Sequence, residues 1–90
     1  MMDTSFKIEN ILHKHFDVFK INIIDESYKH KNHKKDTSGG HFRLLVVSDD
    51  FKEYSLVARH RLIYKALNSM IKKEIHALSI KALSIEEYSK

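Results

Sequence analysis

The run Phe42-Arg-Leu-Leu-Val-Val-Ser48 is the feature that most narrows the folds open to this sequence. It is nearly continuous in apolar strand formers, broken only by Arg43, and so predicts a strand buried on both faces and paired on both edges. Such a strand lies at the centre of a sheet. In a chain of 90 residues it can serve one core only, because two cores of half this length would each bury too little surface to offset chain entropy. The sequence therefore reads as a single domain over residues 1–90, with its core in about 4–88.

The flanking segments supply the partners this strand needs. In residues 19–24, Phe19, Ile21 and Ile23 alternate with Lys20 and Asn22, the period of a half-buried strand, and Ile75-His-Ala-Leu-Ser-Ile-Lys-Ala-Leu83 alternates in the same way. Helical spacing governs residues 4–16 through Ile8, Ile11, Leu12, His15 and Phe16, with Asp3, Thr4 or Ser5 as N-cap. It returns in residues 55–72, where Leu56, His60, Ile63, Tyr64, Leu67, Met70 and Ile71 form one stripe. Arg59, Arg61, Lys65 and Lys72 fall off that stripe, while Tyr64 and Met70 read as core. Ser84-Ile-Glu-Glu87 has the spacing of a capping box and opens a last short helix. Residues 27–41 are polar, hold both glycines and read as a long loop.

The order is thus α-β-β-α-β-α. A strand-helix-strand unit in one sheet makes a right-handed crossover with parallel strands, and the first two strands form a wide hairpin. The expected architecture is a three-stranded mixed sheet with helices packed on it, an α/β (α+β) domain.

What such a domain can do is bounded by its residue types. A chain this short cannot spare core for a large internal chamber, so its chemistry belongs at the surface or is shared with a partner. Absence of cysteine excludes disulfides, a thiol nucleophile, thiolate zinc sites and a self-sufficient iron–sulfur cluster. No apolar run reaches the length of a membrane span, and Met-Met-Asp-Thr-Ser-Phe-Lys lacks the regions of a signal or transit peptide, so a cytoplasmic protein is expected. With no Gly-rich phosphate loop and no His-Glu-x-x-His pattern, nothing assembles a nucleophile, a base and oxyanion donors, and the chain reads as a non-enzyme. The seven histidines are the anomaly.

Five segments recur together in one known family. Asp25-Glu-Ser-Tyr28, the loop ending in Gly40-His-Phe42, Val46-Val-Ser48 followed by Phe51, Arg59-His-Arg-Leu-Ile-Tyr64 and Ile75-His-Ala-Leu78 stand in the order and spacing of the BolA family, which the sequence resembles over about residues 8–87. The resemblance implies a fold similar to the class II arrangement of KH domains. It also implies a non-enzymatic role: pairing with a monothiol glutaredoxin as a heterodimer and sharing a glutathione-ligated [2Fe–2S] cluster, in iron–sulfur trafficking or assembly or in iron regulation. Bacterial members are also described as DNA-binding transcriptional regulators. The family's cluster ligand falls on His76, and a second ligand is implied from the loop, where this sequence offers His33 and His30. One departure is that Glu53 stands where members commonly carry Gly after the Phe51 turn, which bears on the local backbone.

Topology groups the same histidines. With the last strand parallel to the central one, their starts lie at one end of the sheet, and His30, His33, His41 and His76 converge there. Neutral imidazole suits iron or zinc. From alternation alone His76 shares a face with Leu78 and Ile80 and reads equally as a core-edge imidazole on a backbone carbonyl; the resemblance makes it a ligand. Lys29, Lys31, Lys34 and Lys35 around the loop histidines oppose a bare cation but suit an anionic cluster carrying partner thiolates. His60, on the apolar stripe, reads as a buried structural histidine, and Arg59 and Arg61 as solvated charges or a partner-binding pair.

Two other readings compete. DNA could be the partner through the basic main helix, with Arg59, Arg61, Lys34 and Lys35 as contacts; a KH-type Gly-x-x-Gly loop is missing, since Gly39-Gly40 lies in a different element. A simple metal-binding or iron-free adaptor, whose His-rich loop takes zinc or merely contacts the partner, is the other.

Overall fold

The computed structural model describes residues 3–27 and 40–90. The order is α1 (Thr4–His15), β1 (Lys20–Asp25), β2 (Gly40–Val47), α2 (Leu56–Ala66), β3 (Ile75–Leu83) and α3 (Ile85–Ser89), with a 3-10 turn at Asp49–Phe51. The sheet order is β1-β2-β3, with β1 antiparallel and β3 parallel to the central β2. The α+β, mixed-sheet expectation holds in every element. Among the described residues no helix is long and apolar enough to cross a membrane.

Each helix start is written locally. The Asp3 carboxylate accepts from the Phe6 amide, the Ser55 hydroxyl from Ala58, and Ser84 with Glu87 makes both bonds of a capping box. The Ser48-Asp-Asp turn after β2 acts as a junction. Asp50 accepts the Asp17 amide at 2.8 Å and Asp49 the Ile85 amide at 3.0 Å, so one turn fixes both the entry to β1 and the start of α3.

The core lies on one side of the sheet. Phe42, Leu44 and Val46 of β2 pack with Ile8 and Leu12 of α1, Ile63, Leu67 and Met70 from α2 and the segment after it, and Phe51, Ile75 and Ala82. The alternate residues of β2 are different: Arg43 is exposed, His41 and Leu45 are half-buried, and Val47 alone is fully buried. Burial on both faces, expected from the apolar run, is therefore corrected. Arg43 is held outside by an ion pair with Glu26 at 3.0 Å, and the open face carries Asn22, Ile24 and Lys81 beside it.

Helix α2 is rotated relative to the apolar stripe. Arg59 and Ile63 face inward, whereas Leu56, His60 and Tyr64 are exposed. His60 is thus not a buried structural histidine, and Arg59 is not a surface contact. Arg59 is only 4% exposed because its donors are satisfied inside: Nε donates to the Tyr54 carbonyl, Nη1 to the Ala82 carbonyl and to Glu87, and Nη2 to Glu87. Tyr64, expected in the core, sits at the surface and donates its hydroxyl to the Leu78 carbonyl at 3.2 Å. Arg59 and Tyr64 together cover two carbonyls of the edge strand β3.

The helix also ends earlier than its periodicity predicts. Leu67 caps it, and Lys72 adopts φ 69°, the left-handed conformation in which its N–H reaches the Ile75 carbonyl at 2.7 Å. The chain turns there straight into β3. Glu53, by contrast, needs no positive φ, so the turn after Phe51 forms without glycine.

Candidate functional site

The end of the sheet where β2 and β3 begin is built by a register shift. Gly40 pairs with Ile75 and His41 with Ala77, which leaves His76 as the extra residue of a β-bulge. Regular alternation back from Ala82, Ile80 and Leu78 would turn His76 toward the core. The bulge resets the phase, so Ile75 takes the buried position at 1% exposure while His76 and Ala77 are exposed. The core-edge reading of His76 is excluded by this geometry.

The same shift sets His76 beside His41, whose register position is one residue farther along the pair. Their ring centroids are 5.1 Å apart with the planes inclined by 47°. His41 is half-buried and anchored through its backbone, its N–H donating to the Ser27 hydroxyl and its carbonyl accepting from Glu26. Gly40 sits in close packing: a Cβ there would lie 2.5 Å from the Ser27 Oγ and 2.9 Å from the Phe42 ring, so a side chain would have to shift. Its own N–H donates to the Glu74 carbonyl at 2.8 Å, tying the first residue of β2 to the turn before β3.

Glu74 links a third element to this end. Its carboxylate meets the Lys7 ammonium of α1 at 3.3 Å. Its own backbone amide and then the Lys7 hydrogen bond hold that carboxyl below the ordinary range. Lys72 and Lys73 are exposed on the same turn.

The structure thus brings together His76 and His41, of which only His76 was singled out by motif. His30, His33, Lys34 and Lys35 lie outside the described residues. Arg61 is exposed on α2, next to the exposed His60, while Arg59 is withdrawn into the interior. No group of three or more His, Cys, Asp or Glu side chains among the described residues could enclose a metal ion. What this end offers is two neighbouring imidazoles on paired strands.

Comparison with known proteins agrees with this architecture. The BolA-like protein family model matches residues 12–87. SufE-like protein 1, chloroplastic/mitochondrial, of Arabidopsis thaliana is 42% identical over 82 residues, covering 84% of this chain and 22% of that much longer protein. The DNA-binding transcriptional regulator BolA of Haemophilus influenzae is 37% identical over 81 residues, covering 90% of this chain and 77% of the relative. Among solved structures, the BolA domain of SufE1 from Arabidopsis thaliana superposes with a TM-score of 0.81 at 39% identity, covering 97% of this chain and 99% of that one. Sequence and fold agree, and the chain belongs to the BolA-like protein family.

Proposed function

We propose that this BolA-like protein is a non-enzymatic partner of a monothiol glutaredoxin, with which it shares a glutathione-ligated [2Fe–2S] cluster in iron–sulfur trafficking or iron regulation in the cytoplasm. The observation that carries the reading is the bulge that takes His76 out of the core and leaves its imidazole exposed at the sheet end.

The donor set supports it. A chain with no cysteine cannot saturate two irons, whereas the glutaredoxin thiolate and glutathione supply sulfur and this chain adds imidazole. When bound, a cluster with mixed ligation has a higher potential and less negative charge than an all-thiolate one. Lys72 and Lys73 would favour the residual negative charge, and the strand backbone would hold His76 without reorganisation.

The reading is tested by anaerobic reconstitution with a monothiol glutaredoxin and glutathione, followed by visible circular dichroism. Wild type should convert the glutaredoxin homodimer spectrum to a new one at equimolar ratio, and His76→Ala should not. An unchanged spectrum with wild type would overturn it.

DNA binding is the second reading, favoured by the names of bacterial relatives. In this chain it would rest on His60, Arg61 and Lys65, because Arg59 is committed to Glu87. Retention on duplex DNA that falls steeply with salt and is lost in Arg61→Ala would support it.

A further inference from the structure

We propose that the open face of the sheet is a docking surface for an acidic amphipathic helix of a partner protein, a role separate from the sheet end that carries His76.

Strand phase defines the face. Ile21 and Ile23 of β1 and Leu78 and Ile80 of β3 pack on the core, so their neighbours Lys20, Asn22, Ile24 and Lys81 alternate onto the other side and are exposed. Register puts Lys20 and Lys81 on opposite edge strands, one row apart, with Leu45 and Val47 of β2 between those rows. An open basin of about 430 Å³ lies on this face, with Ile24, Leu45, Leu83 and Tyr88 as its apolar lining and Arg43 and Lys81 among its cations. Ile24 is 45% and Tyr88 38% exposed, so apolar surface meets solvent where the outer face of a sheet is ordinarily polar.

Charge fixes the sign of the partner. Among the described residues no ion pair engages Lys20 or Lys81. Arg43 pairs with Glu26, yet its side chain stays 59% exposed, and Glu87, which also borders the basin, is committed to Arg59. The face is basic, and a second copy of this chain laid on it would bring like charges together across a two-fold contact.

The backbone fixes the shape. All three strands already pair within the sheet, so the face offers side chains and no ladder. An extended peptide lying on it would leave its own amides and carbonyls against an apolar floor, whereas a helix satisfies its backbone internally. A helix about 10–12 Å wide covers three strands spaced about 4.8 Å apart. An apolar stripe flanked by Glu or Asp then meets an apolar floor with a lysine on each edge strand, and the sheet gains a second helical layer. A floor that is aliphatic except for one tyrosine stacks bases poorly, which disfavours a single-stranded nucleic acid.

The test uses the whole chain and three probes. One is a peptide helix of about 18 residues with a leucine stripe flanked by glutamates, the second the same peptide with lysines in place of the glutamates. The third is an oligothymidine of about 12 nucleotides. Backbone amide chemical shifts follow each titration. The acidic peptide should bind at least tenfold tighter than either other probe and move the signals of Asn22, Ile24, Leu45 and Lys81. Lys20→Gln/Lys81→Gln should weaken it at least fivefold and Ile24→Ser at least threefold, while His76→Ala leaves it within twofold. All these positions are exposed, and circular dichroism checks that each variant keeps the fold. No saturable binding of the acidic peptide, shifts confined to α2 or to the sheet end, unchanged affinity in the lysine double variant, or oligothymidine bound as tightly would each overturn the inference.

Discussion

Arg59 of α2 and Glu87 of α3 are joined by two parallel charge-assisted hydrogen bonds, Nη1 to Oε1 at 2.7 Å and Nη2 to Oε2 at 3.2 Å. The same guanidinium bonds the carbonyls of Tyr54 and Ala82, so one side chain fastens the start of α2, the end of β3 and α3. A planar fork with five donors can do this; an ammonium cannot.

Arg59→Ala should accordingly destabilise the fold by about 2–4 kcal/mol, because it leaves buried carbonyls unsatisfied. Arg59→Lys should recover only part of the loss, since a lysine cannot reach all three partners. Urea unfolding of the three proteins checks both statements; an Arg59→Ala midpoint equal to wild type would remove this fastening role.

The pH dependence follows from the other partner. The Arg59 hydrogen bonds, and then the Ser84 amide, lower the Glu87 pKa from 4.5 to about 2. A carboxylate with a depressed folded-state pKa contributes stability that is fully present above its unfolded value and is lost as pH falls through the folded one. Wild type should therefore lose stability between about pH 4.5 and pH 2 more steeply than Glu87→Gln, while the two curves run parallel at neutral pH. Thermal melts across that range decide it.

His60 and His76 are both exposed, and their replacement should separate structure from function. Each alanine variant should change stability by no more than about 0.5 kcal/mol, as is usual for surface positions. Only His76→Ala should abolish the cluster spectrum with glutaredoxin. A large loss of stability in His60→Ala would contradict its position on the outer side of α2.

Lys72 holds a left-handed backbone that costs an L-residue roughly 1–2 kcal/mol. Lys72→Gly should relieve most of this, with a smaller opposing loss of unfolded-chain restriction, for a net gain of about 0.5–1 kcal/mol. The Lys72 N–H bond to Ile75 would be kept, so the bulge should be unchanged. Lower stability in Lys72→Gly would mean that the lysine side chain itself matters.

Much of this arrangement was legible from residue order. Alternation and capping signals placed β1, β3 and α3 within a residue or so, because those signals are local, and the parallel β2-β3 pairing followed from chirality. The rotation of α2 was not legible. Hydrophobic periodicity ranks Leu56 and His60 above Arg59, and nothing within the helix reveals that Glu87 will neutralise the arginine. The open sheet face was missed for a related reason: Arg43 looked like an interruption in an apolar run until its pairing with Glu26 showed which side was wet. At the site, motif and topology brought His76 and His41 to one end, but period-two reasoning put His76 on the wrong face. A bulge depends on how two strands register, and neither strand records it alone.

That bulge turns the placement of an imidazole into a matter of counting. Conventional substitutions at position 76 change which side chain is presented, whereas pairing the same residues without the bulge would change the side of the sheet on which position 76 emerges. That slip would draw an imidazole inward and push an isoleucine out with no change of sequence. Strand register, as much as side-chain identity, decides what this end of the sheet presents, and variants here are best sorted first by whether they keep that one-residue offset.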